Sequence, residues 1–245
     1  RHMFDSLSNV GFDKARKDLI VSMSSAEGER VMLTRPLEIK GTVEEYMNDV
    51  VSAMQSTLKD VSRDCVAELG SLNLDKFVKM FPSQTCILGL IILWTDTFSE
   101  SIYKAKSDRN AVPMAVKKAG VLLQGLVSMA AKPMASKIAR TNVEALIVRQ
   151  VHLEESTQDL QTNKVRTIHD FEWQKQLRCY IDSSKEDDFT TNICDVSMSH
   201  SFEFLGCKDR IVITPMTSRC WVALTQTVSM FLGFSAVGPP GTGKS

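Results

Sequence analysis

Gly238-Pro239-Pro240-Gly241-Thr242-Gly243-Lys244-Ser245 is the stretch on which the reading of this chain turns. It fits G-x-x-x-x-G-K-[ST], the pattern of a loop that cradles nucleotide phosphates. The chemistry requires these residue types. Glycines at 238, 241 and 243 let the backbone take positive φ and approach an anion with no Cβ in the way. Consecutive N–H groups then form a concave anion nest. Lys244 is expected to reach the β- and γ-phosphates of ATP, and the Ser245 hydroxyl to ligate Mg2+. The apolar Phe234-Ser235-Ala236-Val237 reads as the strand that leads into such a loop, and a helix is expected to follow it. A nucleotide site met at the last residue implies a piece of a larger protein.

Upstream of the loop, the chain changes character twice. Residues 9–25 are polar with scattered apolar side chains, and 29–39 (ERVMLTRPLEI) reads as extended, with Pro36 restricting it to an edge or a loop. Thr42 is an N-cap that completes a capping box with Glu45. Val43, Met47, Val50, Met54, Leu58, Val61, Cys65 and Leu69 follow at spacings of three and four, on one face of a helix that stops at Gly70. Further helices are expected at 84–106, at 114–131 before Pro133, and from Thr141, with a second capping box to Glu144, to about 160. The stripes read as core packing between helices, with no catalytic residues among them.

After 161 the pattern shortens. A short helix is expected within 171–180, an acidic loop at 182–188, strand-like pieces at 189–198, 201–204 and 210–213, and a helix at 218–232 carrying Trp221, Leu224, Val228 and Phe231 on one side. The fold class is therefore mostly α: a helical bundle or rod, then a short β-strand region, then the truncated start of an α/β P-loop domain.

Composition narrows the partners. Apolar residues make up 43% and charged residues 24%, the balance of a globular protein. Lys plus Arg equals Asp plus Glu at 29 each, so no overall charge favours nucleic acid or an anionic membrane. Residues 109–149 hold seven basic side chains (Arg109, Lys117, Lys118, Lys132, Lys137, Arg140 and Arg149) against the single acid Glu144, which reads as a solvated helix face. The apolar run 86–94 falls short of the ~20 residues that span a bilayer and reads as a buried helix. Six scattered cysteines contain no C-x-x-C and fit reduced thiols of an intracellular protein. His152, His169 and His200 have no partner at catalytic spacing, and the adjacent Asp187 and Asp188 read as solvated.

With these pieces in place, the chain resembles a dynein heavy chain. Phe204-Leu205-Gly206 and 210–221 (RIVITPMTSRCW) resemble the family's YEYLG and RLVITPLTDRCY, which lead through a helix to GPAGTGKT. Phe171-x-Trp173-x-x-Gln176-Leu177-Arg178-x-Tyr180 resembles F-x-W-x-x-Q-L-R-x-Y, and Glu144-Ala145-Leu146-Ile147 with Val151-His152 resembles the family's EALI…VH helix. Trp94-Thr95, 25–31 (SAEGERV) and 41–44 (GTVE) also fall in family order. The wording at 23–29 is nearer the axonemal heavy chains than the cytoplasmic form.

The resemblance implies a helical linker region over 1–170, a linker end and strand-containing connection over 171–204, and the start of the first AAA+ module over 205–245, cut after its phosphate loop. It implies an ATP-driven microtubule motor in which the linker is the mechanical lever, located in the cytoplasm and cytoskeleton and specifically the cilium or flagellum axoneme. Its partners would be ATP, the rest of the AAA+ ring in the same chain, and microtubules and dynein intermediate and light chains through other regions. Val212, Ile213, Thr214 and Pro215 would line the adenine side, partly through backbone. Hydrolysis needs a Walker-B carboxylate and an arginine finger. Neither falls within 1–245, so this segment alone is expected to be inactive, with no catalytic residue of its own. Departures include Pro240 for the usual Ala, Ser245 for Thr, Phe234 for a second Gly, His200-Ser201 for Tyr-Gly and Ser218 for Asp. A different reading of the same residues is a non-motor AAA+ nucleotide switch or scaffold with a helical regulatory module.

Overall fold

The computed structural model describes residues 6–70, 74–134, 136–182, 188–208, 210–239 and 241. Three antiparallel strands come first: β1 (Asn9–Phe12), β2 (Leu19–Ser24) and β3 (Arg30–Glu38), in the order β1-β2-β3. The extended reading of 29–39 holds, and Pro36 sits on an edge strand, where no ladder donor is needed. β1 and β2 were not anticipated. Their alternation is weak because the pairing is irregular beside Gly11 and between Ile20 and Ser22. Ile20 and Met23 nevertheless turn inward and are buried.

Helix α1 (Val43–Glu68) begins as its sequence demands. The Glu45 N–H donates to Thr42 Oγ1 at 3.4 Å and the Thr42 N–H to Glu45 Oε2 at 3.0 Å, so both halves of the capping box are made. Of its stripe, Met54, Leu58 and Cys65 are buried, while Val43 at the first turn is exposed. A short α2 (Leu74–Met80) leads to α3 (Ser83–Lys104), then α4 (Ala111–Ala130) and α5 (Lys137–Thr162).

The start of α5 corrects the sequence reading. The helix begins at Lys137, behind Ser136, and Thr141 lies inside it. Glu144 accepts from Arg140 Nε at 3.0 Å, an i,i+4 pair that takes the carboxylate the expected capping box needed.

α3 is the spine. Among the described residues it is the one helix long and apolar enough to cross a membrane, but most of that stretch is buried within the fold. One side joins α4 and α5 in a core holding Trp94, Phe98, Leu126, Leu146, Leu153 and Trp173. Trp94 and Phe98 both lie against Trp173, with ring centroids 5.3 and 5.2 Å away, and Trp94 Nε1 donates to Thr157 Oγ1 at 2.7 Å. The other side, through Leu88, Ile91 and Ile92, meets Met23, Val31, Met54, Leu58, Phe189, Phe202 and Phe204.

The expected short helix shrinks to α6 (Phe171–Gln174), and Arg178 already opens a strand. β4 (Arg178–Asp182), β5 (Asp188–Ile193) and β6 (Val196–Ser199) form an antiparallel meander. Most of the acidic loop, 183–187, lies outside the described residues. The second core cluster draws on β2, β3, α1, α3, β4 and β5 together, so the meander shares a core with the helices that precede it. The last helix, α7 (Pro215–Ser229), starts three residues earlier than expected, with Pro215 in its first turn.

Segments 201–204 and 210–213 are not strands, which corrects the reading of both. A strand exists only through pairing, and around 203–205 the backbone partner is a side chain, described below. Residues 234–237 likewise form no strand, because no described segment offers them a ladder.

Candidate nucleotide site and its attachment

Of the phosphate-loop residues, Gly238, Pro239 and Gly241 are described, and all three are exposed. Pro240, Thr242, Gly243, Lys244 and Ser245 lie outside the described residues. Gly241 has φ +77, a conformation that an L side chain rarely takes, and among the described residues no atom lies within 4 Å of where its Cβ would be. The positive φ at Gly241 suits a chain that must approach an anion.

The candidate adenine-side residues sit at the start of α7. Thr214 is the N-cap: its Oγ1 accepts from the Thr217 N–H at 3.2 Å and shares a hydrogen bond with Thr217 Oγ1. Pro215 occupies the first turn, where its missing N–H is no loss. Val212 and Ile213 precede the cap as extended chain, with Val212 exposed and Ile213 half-buried. These four residues are therefore contiguous and locally ordered by the cap. Their placement relative to Lys244 and Ser245 falls outside the described residues.

α7 carries no buried residue. Met216, Val228, Phe231 and Val237 are all exposed, Phe231 at 98%. Apolar area on this scale calls for a covering surface. Gln226 ties the helix to the β5–β6 turn by donating from Nε2 to Asp195 Oδ1 at 2.6 Å. That bond is the leading reason the Asp195 carboxyl is held below its ordinary range.

The connection 202–207 is held far more firmly, chiefly by Gln84, which sequence reasoning read only as the start of a helix. Gln84, in the first turn of α3, clips it twice: Nε2 donates to the Glu203 carbonyl at 3.1 Å, and Oε1 accepts from the Leu205 N–H at 2.7 Å. A side-chain amide thus supplies the donor and acceptor that a neighbouring strand would have supplied. Phe202 and Phe204 anchor on either side in the second core cluster, and Phe202 packs edge-on against Phe189. Gly206 follows with φ +64, and a Cβ there would come within 2.6 Å of Ser25 Cβ, so only glycine fits. The Cys207 thiol then donates to Asn142 Oδ1.

Glu29 anchors the same corner. Its Oε1 accepts from the Ser83 N–H, at 2.8 Å, at the N-terminal end of α3, while Oε2 is buried without a partner. Burial pushes this carboxyl above the ordinary glutamate range, against the pull of the Ser83 amide and of Arg210. The only sequence signal for Glu29 was its place in a family-like run.

The other reactive groups do not assemble. Burial, reinforced by Arg149, pushes His152 down to about 4, and burial lowers His200, so both are neutral near pH 7. Among the described residues no group of three or more His, Cys, Asp and Glu could hold a metal ion. All six cysteines are free thiols, and burial raises Cys179 and Cys207 above the usual thiol range. Six of the seven basic residues of 109–149 are exposed as a solvated face requires, but Arg149 is buried.

Comparison with known proteins finds family matches at both ends of the chain. Residues 1–65 match the family model described as dynein heavy chain, N-terminal region 2, and residues 200–245 match that of the hydrolytic ATP binding site of dynein motor region. A helical module leading into a nucleotide-binding segment is thus the class of protein in hand. The chain belongs to the dynein heavy chains. It is 38% identical over 99% of its length to the dynein gamma chain, flagellar outer arm, of Chlamydomonas reinhardtii. It is 37% identical over its whole length to dynein axonemal heavy chain 5 of Rattus norvegicus, and 34% identical over 98% to dynein axonemal heavy chain 8 of Homo sapiens. The chain spans 5 to 7% of the length of these relatives.

Proposed function

We propose that this chain is the part of an axonemal microtubule motor in which the mechanical lever joins the main ATP site. Residues 1–170 would form the linker and 171–204 its end, and the first AAA+ module would begin near 205. The observation that carries this reading is the continuity of three features. A phosphate-loop pattern stands at 238–245. It lies in a segment matched to a hydrolytic ATP site. That segment leaves the helical module through a backbone clipped by Gln84. The shared core adds support, since Phe202 and Phe204 are still buried with the helices, whereas 211–241 is largely exposed.

ATP would bind with its phosphates against the backbone of 238–243. Lys244 would neutralise phosphate charge, and the Ser245 hydroxyl would hold Mg2+. Two features support the reading: Gly241 has the positive φ that glycine permits, and a serine hydroxyl is a hard oxygen donor of the kind that Mg2+ takes. Bound Mg2+ would offset charge on the phosphate oxygens. Val212 to Pro215 would flank the adenine, with the Thr214 cap fixing their backbone. Hydrolysis would draw on residues elsewhere in the heavy chain, so 1–245 alone would bind weakly and turn over negligibly. Microtubules, intermediate and light chains and the remaining AAA+ modules would be engaged by other regions, in the cilium or flagellum.

Binding of a fluorescent ATP analogue to the full heavy chain tests the site. Lys244→Ala should weaken binding by at least tenfold, and Ser245→Ala should remove the Mg2+ dependence. Undiminished, Mg2+-sensitive binding by both variants, with the other AAA+ sites disabled, would refute the assignment.

A further inference from the structure

Arg149 is a basic residue for which the nucleotide reading has no use. It sits on α5 and is only 9% exposed. Its Nε and Nη2 are buried without hydrogen-bond partners. Buried polar groups are nearly always paired, and a guanidinium presents a fixed fork of donors. Burial lowers its pKa to about 10, so it remains a cation at pH 7.

The side chain borders a cavity of about 570 Å3 where the 203–213 connection crosses α3 and α5. That volume falls in the range of small-molecule sites. Arg210 also lines it, with its Nε buried without a hydrogen bond and Glu29 near enough to attract its charge, and Glu203 is the acid among the described lining residues. Leu177 and Trp221 supply apolar wall. Guanidinium donors left unpaired in a side chain that borders a cavity match planar oxyanions, which arginine grips through two parallel hydrogen bonds.

We propose that this cavity is an oxyanion site, with Arg149 as its anchoring donor, for a small ligand carrying a carboxylate or a phosphate on an apolar body. A ligand there bridges α5 to Arg210 and Trp221, and so spans the junction between the helical module and the nucleotide-binding segment.

Isothermal titration of the full heavy chain with phenyl phosphate and with benzoate, in saturating ADP, tests the site. The two probes separate a phosphate ligand from a carboxylate one. The expected result is saturable binding of at least one probe, weakened at least tenfold in Arg149→Met. Arg149→Lys keeps the charge without the fork and should fall between the two. Each variant's melting curve establishes that it is folded. Absence of saturable heat from both probes, or equal affinity in Arg149→Met, overturns the proposal.

Discussion

Removing the Gln84 clip should loosen the connection between the two parts of the chain while leaving the rest of the fold in place. Gln84→Ala deletes two hydrogen bonds, to the Glu203 carbonyl and from the Leu205 amide. A net contribution of about 1 kcal/mol per bond gives about 2 kcal/mol in all. At 1.4 kcal/mol per factor of ten, local opening becomes roughly 30-fold more frequent. The assay is hydrogen exchange by mass spectrometry on the peptide that carries Leu205, under conditions where exchange reports the opening equilibrium. Peptides from the centre of α3 and from α5 should be unchanged, because Trp94, Phe98 and Leu153 do not touch the clip. Gln84→Glu keeps an oxygen to accept from Leu205 N–H but loses the donor to Glu203, so its protection should lie between wild type and Gln84→Ala. Leu205 exchanging within about threefold of wild type in Gln84→Ala would mean that Phe202 and Phe204 alone hold the connection.

Other perturbations probe the same framework. Gly206→Ala forces a positive φ on a Cβ that meets Ser25, so a loss of at least about 1–2 kcal/mol is expected in thermal melts, with partial rescue by Ser25→Gly. Thr157→Val leaves the Trp94 indole N–H buried and unpaired, and should destabilise by about 1–3 kcal/mol; an unchanged melting temperature would contradict it. Glu29 binds its proton more tightly when folded, so the native state holds more protons just above pH 4.5, and stability from this group falls as pH rises through that window. Glu29→Gln should therefore flatten that fall in melts taken across the window. His152 is the opposite case. Its folded pKa is lowered to about 4, so its contribution is present above pH 6.5 and is lost as pH drops toward 4, a loss that His152→Gln should remove.

Much of this could be read from residue order because local rules and tertiary structure agree. The Thr42–Glu45 box was legible, and it formed, since both partners are exposed and nothing competes for them. The same grammar failed at Thr141–Glu144, where Arg140 claims the carboxylate. The apolar stretch 86–94 was correctly read as buried, although its role as a spine between two cores depends on contacts from β2 to Phe204 that no local window contains. The strands expected at 201–204 and 210–213 rest on composition alone. Composition cannot tell a segment paired to a strand from one satisfied by a distant Gln84 side chain. Arg149 reads like its solvated basic neighbours, and its burial, within reach of Cys179 on β4, depends on tertiary packing that no local window contains. The phosphate loop is a contiguous sequence pattern, and five of its eight residues lie outside the described ones.

That the phosphate loop powers a motor is the central proposal. The direct measurement is ATP turnover by the full heavy chain, with and without microtubules, beside Lys244→Ala. Microtubule-stimulated turnover that disappears in the variant is the predicted result. Tight nucleotide binding with no turnover in the wild type, or stimulated turnover that survives Lys244→Ala, would contradict the claim that this site is the engine and the helical module its lever.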